Sequence, residues 1–132
     1  MFEKLLEIRK NSYSPYTKFQ VSAVVVTKDG REFYGTNVED ASTRAGACAE
    51  RVAIFSAVTA GVKKGEFKEI HILASKDENF GTPCFVCRQM LSEMFPVEAK
   101  VYCYSITGEK REFTIKELCP YPFEEFTEED VK

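Results

Sequence analysis

Several shortages in this sequence narrow what the chain can be. No apolar run approaches the roughly 20 residues that a membrane-spanning helix needs. The opening stretch, Met1 to Glu7, is charged and helix-like rather than a secretory leader. The cytoplasm is therefore the expected compartment, with no membrane partner. Positive charge is not in excess, and the net charge is −3. Nucleic-acid binding normally leaves a basic footprint, so a small-molecule substrate is expected and no polynucleotide. There is no internal repeat, low-complexity stretch or linker, and 132 residues is the size of one ordinary domain. Residues 1–132 are expected to form a single one. The one histidine, His71, sits in the apolar stretch Ile70-His71-Ile72, where a structural role is the simpler reading. Cysteines number five, an odd count, and disulfides are uncommon in the cytoplasm. The thiols are then free groups, buried fillers or metal ligands.

What the chain does have is enough apolar residue, 44%, for a core without staples. Met1 to about Asn11 reads as a short amphipathic helix, broken at Ser12-Tyr13-Ser14-Pro15-Tyr16. Val21 to Thr27 is a β-branched run, and Asp29-Gly30 signals a hairpin returning over Glu32–Thr36. Cys48 to Ala60 is apolar on nearly every face, with Gly61 as its stop. Such a helix belongs in a core or at a subunit interface. Glu69–Ser75 is the next strand. A helix from Pro83 to Phe95 should set Val86, Met90, Leu91 and Met94 on one side. Val101–Ser105 and Arg111–Thr114 flank Thr107-Gly108 as a strand pair, and a short helix over Ile115–Leu118 ends before Pro120. That order suggests an α/β fold with a mixed sheet covered by helices. The acidic stretch Glu124–Asp130 reads as a solvated, mobile end.

Two short motifs carry the chemistry, Cys48-Ala49-Glu50 and Pro83-Cys84-Phe85-Val86-Cys87. Both fall where helices should begin. A helix N-terminus favours negative charge and lowers a thiol's pKa, which helps form the thiolate that binds metal. Two cysteines three apart on one turn and a third from another helix start can hold one ion. Zinc is tetrahedral, and three protein ligands leave one position open for chemistry. A structural site would normally be closed by a fourth Cys or His. Cys103, in a strand, and Cys119, near a helix end, lack the paired spacing. Glu50 lies close to such a metal without being an expected ligand. Zinc lowers the pKa of water by roughly 9 units, worth on the order of 12 kcal/mol, and a neighbouring carboxylate can take the proton. A His or Cys two residues before a Glu, followed by Pro-Cys-x-x-Cys, is the zinc deaminase signature, matched here in all-cysteine form.

On these residues the chain resembles the small homotetrameric cytidine deaminases, from about Ser14 to Phe123. Tyr13-Ser14-Pro15-Tyr16-Thr17-Lys18-Phe19 is similar to the family's opening segment, and Asn37-Val38-Glu39 to its ribose-binding motif. Cys48 to Arg51 and Pro83 to Gln89 resemble its zinc site, and Leu118 to Phe123 its C-terminal segment. The resemblance implies a three-layer α-β-α fold around a mixed five-stranded sheet and a homotetramer whose sites draw on neighbouring chains. It implies Zn²⁺ on Cys48, Cys84 and Cys87, with Glu50 as proton shuttle. Asn37 and Glu39 would face the ribose, Phe19 the pyrimidine, and the Ala49 N–H the base carbonyl. Phe123 would reach the site, and Arg51 would hydrogen-bond ligand thiolates. The implied reaction is hydrolytic deamination of cytidine and deoxycytidine in pyrimidine salvage. Asp40 and Thr43 depart from the family's common Asn and Tyr, which bears on the sugar contacts and the subunit boundary. The alternatives are the same chemistry on another cytosine nucleoside such as blasticidin S, a polynucleotide-editing deaminase, and a non-catalytic zinc-binding module.

Overall fold

Asp29-Gly30 turns the first hairpin. β1 (Ser22–Thr27) runs into it and β2 (Glu32–Thr36) returns antiparallel, with Gly30 at φ +89° and its N–H on the Thr27 carbonyl. β1 also pairs antiparallel with β3 (Phe67–Leu73), and β3 pairs in parallel with β4 (Lys100–Tyr104). β5 (Lys110–Thr114) closes the far edge, giving the order β2-β1-β3-β4-β5. A parallel pair needs a crossover, and α3 (Phe85–Met94) supplies it. α1 (Phe2–Arg9) covers one face of the sheet, where Leu5 packs with Val24, Leu73 and Tyr104. α2 (Ala49–Thr59) and α3 cover the other, and their buried residues join Ala23, Val25, Ile70, Ile72 and Val101 in the larger core. α4 (Ile115–Leu118) follows β5 directly, with a capping box between Thr114 and Glu117. This is the expected three-layer α/β arrangement in the expected element order. The computed structural model describes residues 1–124, so all of the acidic end except Glu124 lies outside the described residues.

One close approach sets the height of α2. A Cβ on Gly35, in β2, would fall 2.2 Å from the Ala49 carbonyl oxygen and 2.5 Å from the Ala53 nitrogen. The helix backbone therefore rests directly on the strand, which fixes where the start of α2 projects.

Two expectations need correction. β3 begins two residues earlier and ends two residues earlier than the pattern suggested. Buried Phe67 packs at a tilt against Phe95, ring centroids 4.9 Å apart, and past Leu73 the chain turns away from the sheet, with the Ser75 hydroxyl donating to the Asp77 and Asn79 carbonyls. α3 begins at Phe85, with Pro83 ahead of the Cys84 N-cap, and Val86 is exposed. Cys87 is buried and its neighbours at helical spacing, Met90, Leu91 and Met94, follow it inward; Val86 lies about 100° off that stripe. α2 buries Ala53, Ile54 and Ala57, yet Phe55 and Val58 are nearly half exposed in the single chain.

Candidate metal centre and cleft

Cys48 is the N-cap of α2 and Cys84 the N-cap of α3, both in extended conformation. Neither uses its side chain to cap its helix, so both thiols are free to turn toward Cys87 in the first turn of α3. The three sulfurs lie within 4.8 Å of one another, and Cys48 Sγ is 3.8 Å from Cys84 Sγ. Tetrahedral zinc, with Zn–S near 2.3 Å, needs sulfurs about 3.8 Å apart. Among the described residues no other group of three potential ligands forms, and Cys103 is buried in the core away from this set. The donor set fits zinc with one position left to chemistry.

The electrostatics suit a cation. Hydrogen bonding from Cys87, and then from Arg51 and Cys84, brings the Cys48 thiol down to about 5. Cys87 moves the other way: sharing its hydrogen with Cys48 and burial both hold its proton on. The partly buried Arg51 donates from Nη2 to Cys48 Sγ at 3.6 Å, and its Nε is buried with no hydrogen-bond partner among the described residues. Two helix N-termini meet at the cluster, adding partial positive charge. Glu50 stands in the first turn of α2, only 4% exposed. Burial, with some help from the Cys48 charge, pushes its carboxyl up to about 7.

Glu50, Cys48 and Cys84 open on one cavity of about 350 Å³, which Phe19, Asn37, Glu39 and Ala49 also line. Thr17, Ala74 and Thr82 complete much of its wall. Thr17 lies inside the matched segment Tyr13 to Phe19 and Thr82 directly precedes Pro83, whereas Ala74, just past the end of β3, carried no signal in the sequence. A second cavity of about 280 Å³ continues from it past Asn37, Glu39 and Cys48 to Val38, Asp40, Thr43 and Arg51. The structure thus brings together every candidate site residue but Phe123. That residue lies beyond α4, largely exposed, with its backbone bonded to the Gln89 carboxamide.

Asn37 and Glu39 also organise the cavity rim. Asn37 Nδ2 donates to the Phe19 carbonyl at 2.7 Å, and Oδ1 accepts from the Val21 N–H at 2.9 Å. Glu39 accepts from the Tyr16 and Thr17 N–H groups at 3.0 and 3.2 Å and from the Thr17 hydroxyl. Together they fasten the segment carrying Phe19 over the cavity, a turn-capping duty alongside any ligand contact. Lys76 Nζ lies 5.0 Å from the centre of the Phe19 ring. Asp40 accepts from the N–H groups of Ser42, Ala45 and Gly46, which ties the 40–46 loop into a closed turn with Thr43 at φ +61°. His71 is a structural group, on the α1 side of the sheet, bonded to Tyr104 at 2.9 Å and to Glu69.

Residues 1–104 match the family model described as the cytidine and deoxycytidylate deaminase zinc-binding region. A cytidine deaminase of Halalkalibacterium halodurans is 35% identical over 131 residues, covering 99% of this chain and 95% of that protein. One from Sporosarcina psychrophila is 35% identical over 125 residues, covering 92% and 90%. Among solved structures, the cytidine deaminase of Burkholderia pseudomallei superposes with a TM-score of 0.87 at 37% identity, over 92% of this chain and 95% of that one. With three sulfurs gathered at two helix starts and a buried Glu beside them, the chain belongs to the cytidine and deoxycytidylate deaminase family of zinc-binding proteins.

Proposed function

We propose that the chain hydrolyses the exocyclic amine of cytidine and deoxycytidine, consuming water and releasing ammonia and the uracil nucleoside. The observation that carries this reading is Glu50, a buried carboxyl that faces the same cavity as Cys48 and Cys84, two of the three clustered cysteines. Zinc, held by Cys48, Cys84 and Cys87, supplies the Lewis acidity that makes water acidic enough to give up a proton near neutral pH. Glu50 takes that proton and delivers it to N3 of the ring as oxygen adds at C4; it then carries the remaining proton of the hydroxyl added at C4 to the departing amino nitrogen, so that ammonia leaves and the C4 carbonyl forms. Its burial keeps bulk water from competing for the proton. The Ala49 N–H, at the start of α2 and without an intrahelical partner, faces the base carbonyl. Phe19 packs on the pyrimidine, while Asn37 and Glu39 take the sugar hydroxyls. Three thiolates on a dication leave an excess negative charge, which the Arg51 guanidinium offsets.

In this reading residues 1–132 form one domain of a cytoplasmic homotetramer serving pyrimidine salvage, and Phe123 enters the cleft of a second copy. The half-exposed Phe55 and Val58 on α2 support association, since apolar side chains on a helix face need a cover. Sedimentation is expected to give four chains; a stable monomer would refute it. A substrate panel tests the specificity. Cytidine and deoxycytidine are expected to turn over, and blasticidin S and single-stranded DNA are not. Turnover of blasticidin S alone would move the assignment to that substrate and implicate the 40–46 loop.

A further inference from the structure

Phe19 is held by both of its backbone groups. Its carbonyl accepts from Asn37 Nδ2 at 2.7 Å, and its N–H donates to the Thr17 hydroxyl oxygen at 3.0 Å. That hydroxyl in turn donates to Glu39 Oε2, while Glu39 Oε1 accepts the Tyr16 and Thr17 N–H groups. One hydroxyl thus stands between the Glu39 carboxylate and the residue that carries the aromatic ring. Both bonds point the same way, from Phe19 to Thr17 and from Thr17 to Glu39, so the negative charge at the end strengthens each. The Thr17 hydroxyl is also the chief cause that holds the Glu39 carboxyl below the usual carboxylate range. Lys18, between Thr17 and Phe19, lies at φ +62°, a conformation uncommon for a residue with a side chain. The Phe19 N–H reaches back across it to Thr17, and the Lys18 N–H is bonded to the Ser14 carbonyl at 3.0 Å. Thr17 lines both cavities of the cleft, together with Asn37, Glu39 and Cys48.

We infer that Thr17 is a positioning residue whose hydroxyl couples Glu39 to Phe19, so that the group facing the sugar and the ring facing the base are set by one chain of hydrogen bonds. The inference rests on the proposed reading of Glu39 and Phe19 as sugar and pyrimidine contacts. Without the hydroxyl, Glu39 loses one of its three donors and the Phe19 N–H loses its acceptor. Both contacts then have to be ordered at each binding event, which weakens binding, whereas contacts ordered in advance have met that cost in folding. None of these bonds runs to α2 or α3, which carry the cysteines and Glu50. Thr17 therefore acts on binding and leaves the proton transfers alone.

The test is steady-state kinetics on the zinc-loaded protein and four variants, Thr17→Val, Thr17→Ser, Phe19→Ala and Thr17→Val with Phe19→Ala. The substrates are cytidine and 2′,3′-dideoxycytidine, which lacks both ring hydroxyls of the sugar. Thr17→Val replaces the hydroxyl by a methyl group of the same shape, and Thr17→Ser keeps the hydroxyl. Each bond contributes of the order of a few-fold, so Thr17→Val is expected to raise KM for cytidine about 5- to 30-fold. Its kcat stays within about threefold of native, with zinc content unchanged, and Thr17→Ser stays within about threefold in both. On dideoxycytidine the effect of Thr17→Val is smaller, since only the ring remains to be positioned. In the Phe19→Ala background on dideoxycytidine both arms are missing, and adding Thr17→Val changes nothing further. A native KM for cytidine in Thr17→Val would overturn the inference. So would a Thr17→Ser variant as impaired as Thr17→Val, or an effect of Thr17→Val that is the same in every background and on both substrates. Loss of zinc, or a fall in kcat at unchanged KM, would make Thr17 a support of the fold instead. Failure of the native protein to convert cytidine would overturn the reading of the cleft, and this inference with it.

Discussion

Arg51 sits one helical turn beyond Cys48 on α2, and its Nη2 lies 3.6 Å from the Cys48 sulfur. The guanidinium is held charged by that sulfur, and the sulfur is held ionised in part by the guanidinium. Replacing Arg51 by Gln removes the charge and leaves the helix intact. Groups that orient and tune metal ligands typically contribute 10- to 100-fold, so zinc affinity is expected to fall by about that factor. Competition with a chelating indicator measures it. Unchanged affinity would mean that the contact is incidental.

Gly35 supports the start of α2, and its Cβ-facing side is filled by helix backbone. Gly35→Ala has to lift the helix, since the obstructing atoms are not the ends of flexible side chains. The expected loss is about 1–3 kcal/mol of stability, with a fall in kcat/KM because Cys48 and Glu50 move with the helix. Gly30→Ala is the control. Gly30 also has a positive φ but open space around it. It should cost about 1 kcal/mol and leave kcat/KM unchanged. Thermal unfolding and kinetics on the two variants separate the effects.

His71 gives the fold an acid limit that is separate from the site. Burial lowers its pKa from the usual 6.5 against the opposing pull of Glu69. Its other neighbours are Tyr104 and the stacked Tyr102 on β4, Lys110 on β5, the N-terminal ammonium, and Glu32 on β2. Below pH 6.5 the unfolded chain takes up a proton at this position that the folded chain still refuses. Stability contributed by the neutral ring is therefore present above 6.5 and is lost as pH falls toward the folded value. The zinc-loaded protein should lose stability on going from pH 7 to pH 5, and His71→Gln should lose less over the same interval. Parallel slopes would contradict this.

Much of this was legible in the sequence because its signals are local. Asp29-Gly30, Gly61 and Thr107-Gly108 mark turns through backbone chemistry, and the element order follows from them. The cysteine cluster and Glu50 were legible because helix geometry alone brings Cys84 and Cys87 together and sets Glu50 beside Cys48. What was not legible depends on distant partners. The strand containing Phe67 starts early because Phe95 receives its ring. Val86 turns outward because Cys87 must turn in. Apolar composition marked α2 as a helix needing cover, but not that Phe55 and Val58 lack it within one chain. Asn37 and Glu39 were recognisable through the likeness of Asn37-Val38-Glu39 to the family's ribose-binding motif. Their hydrogen bonds to Phe19, Tyr16 and Thr17 close only in the fold. The bonds between Gln89 and Phe123 span 34 residues, beyond any periodic pattern.

The central claim is a zinc-dependent deamination with Glu50 as the group that carries protons. The direct measurement follows the loss of cytidine absorbance near its ultraviolet maximum, for native, zinc-stripped, zinc-restored and Glu50→Ala protein. Conversion to uridine should stop on stripping and return with zinc. Glu50→Ala should retain zinc and turn over at least about 10²–10⁴-fold more slowly. A folded, zinc-loaded protein that leaves cytidine unchanged, or a Glu50→Ala variant with near-native turnover, would contradict the account.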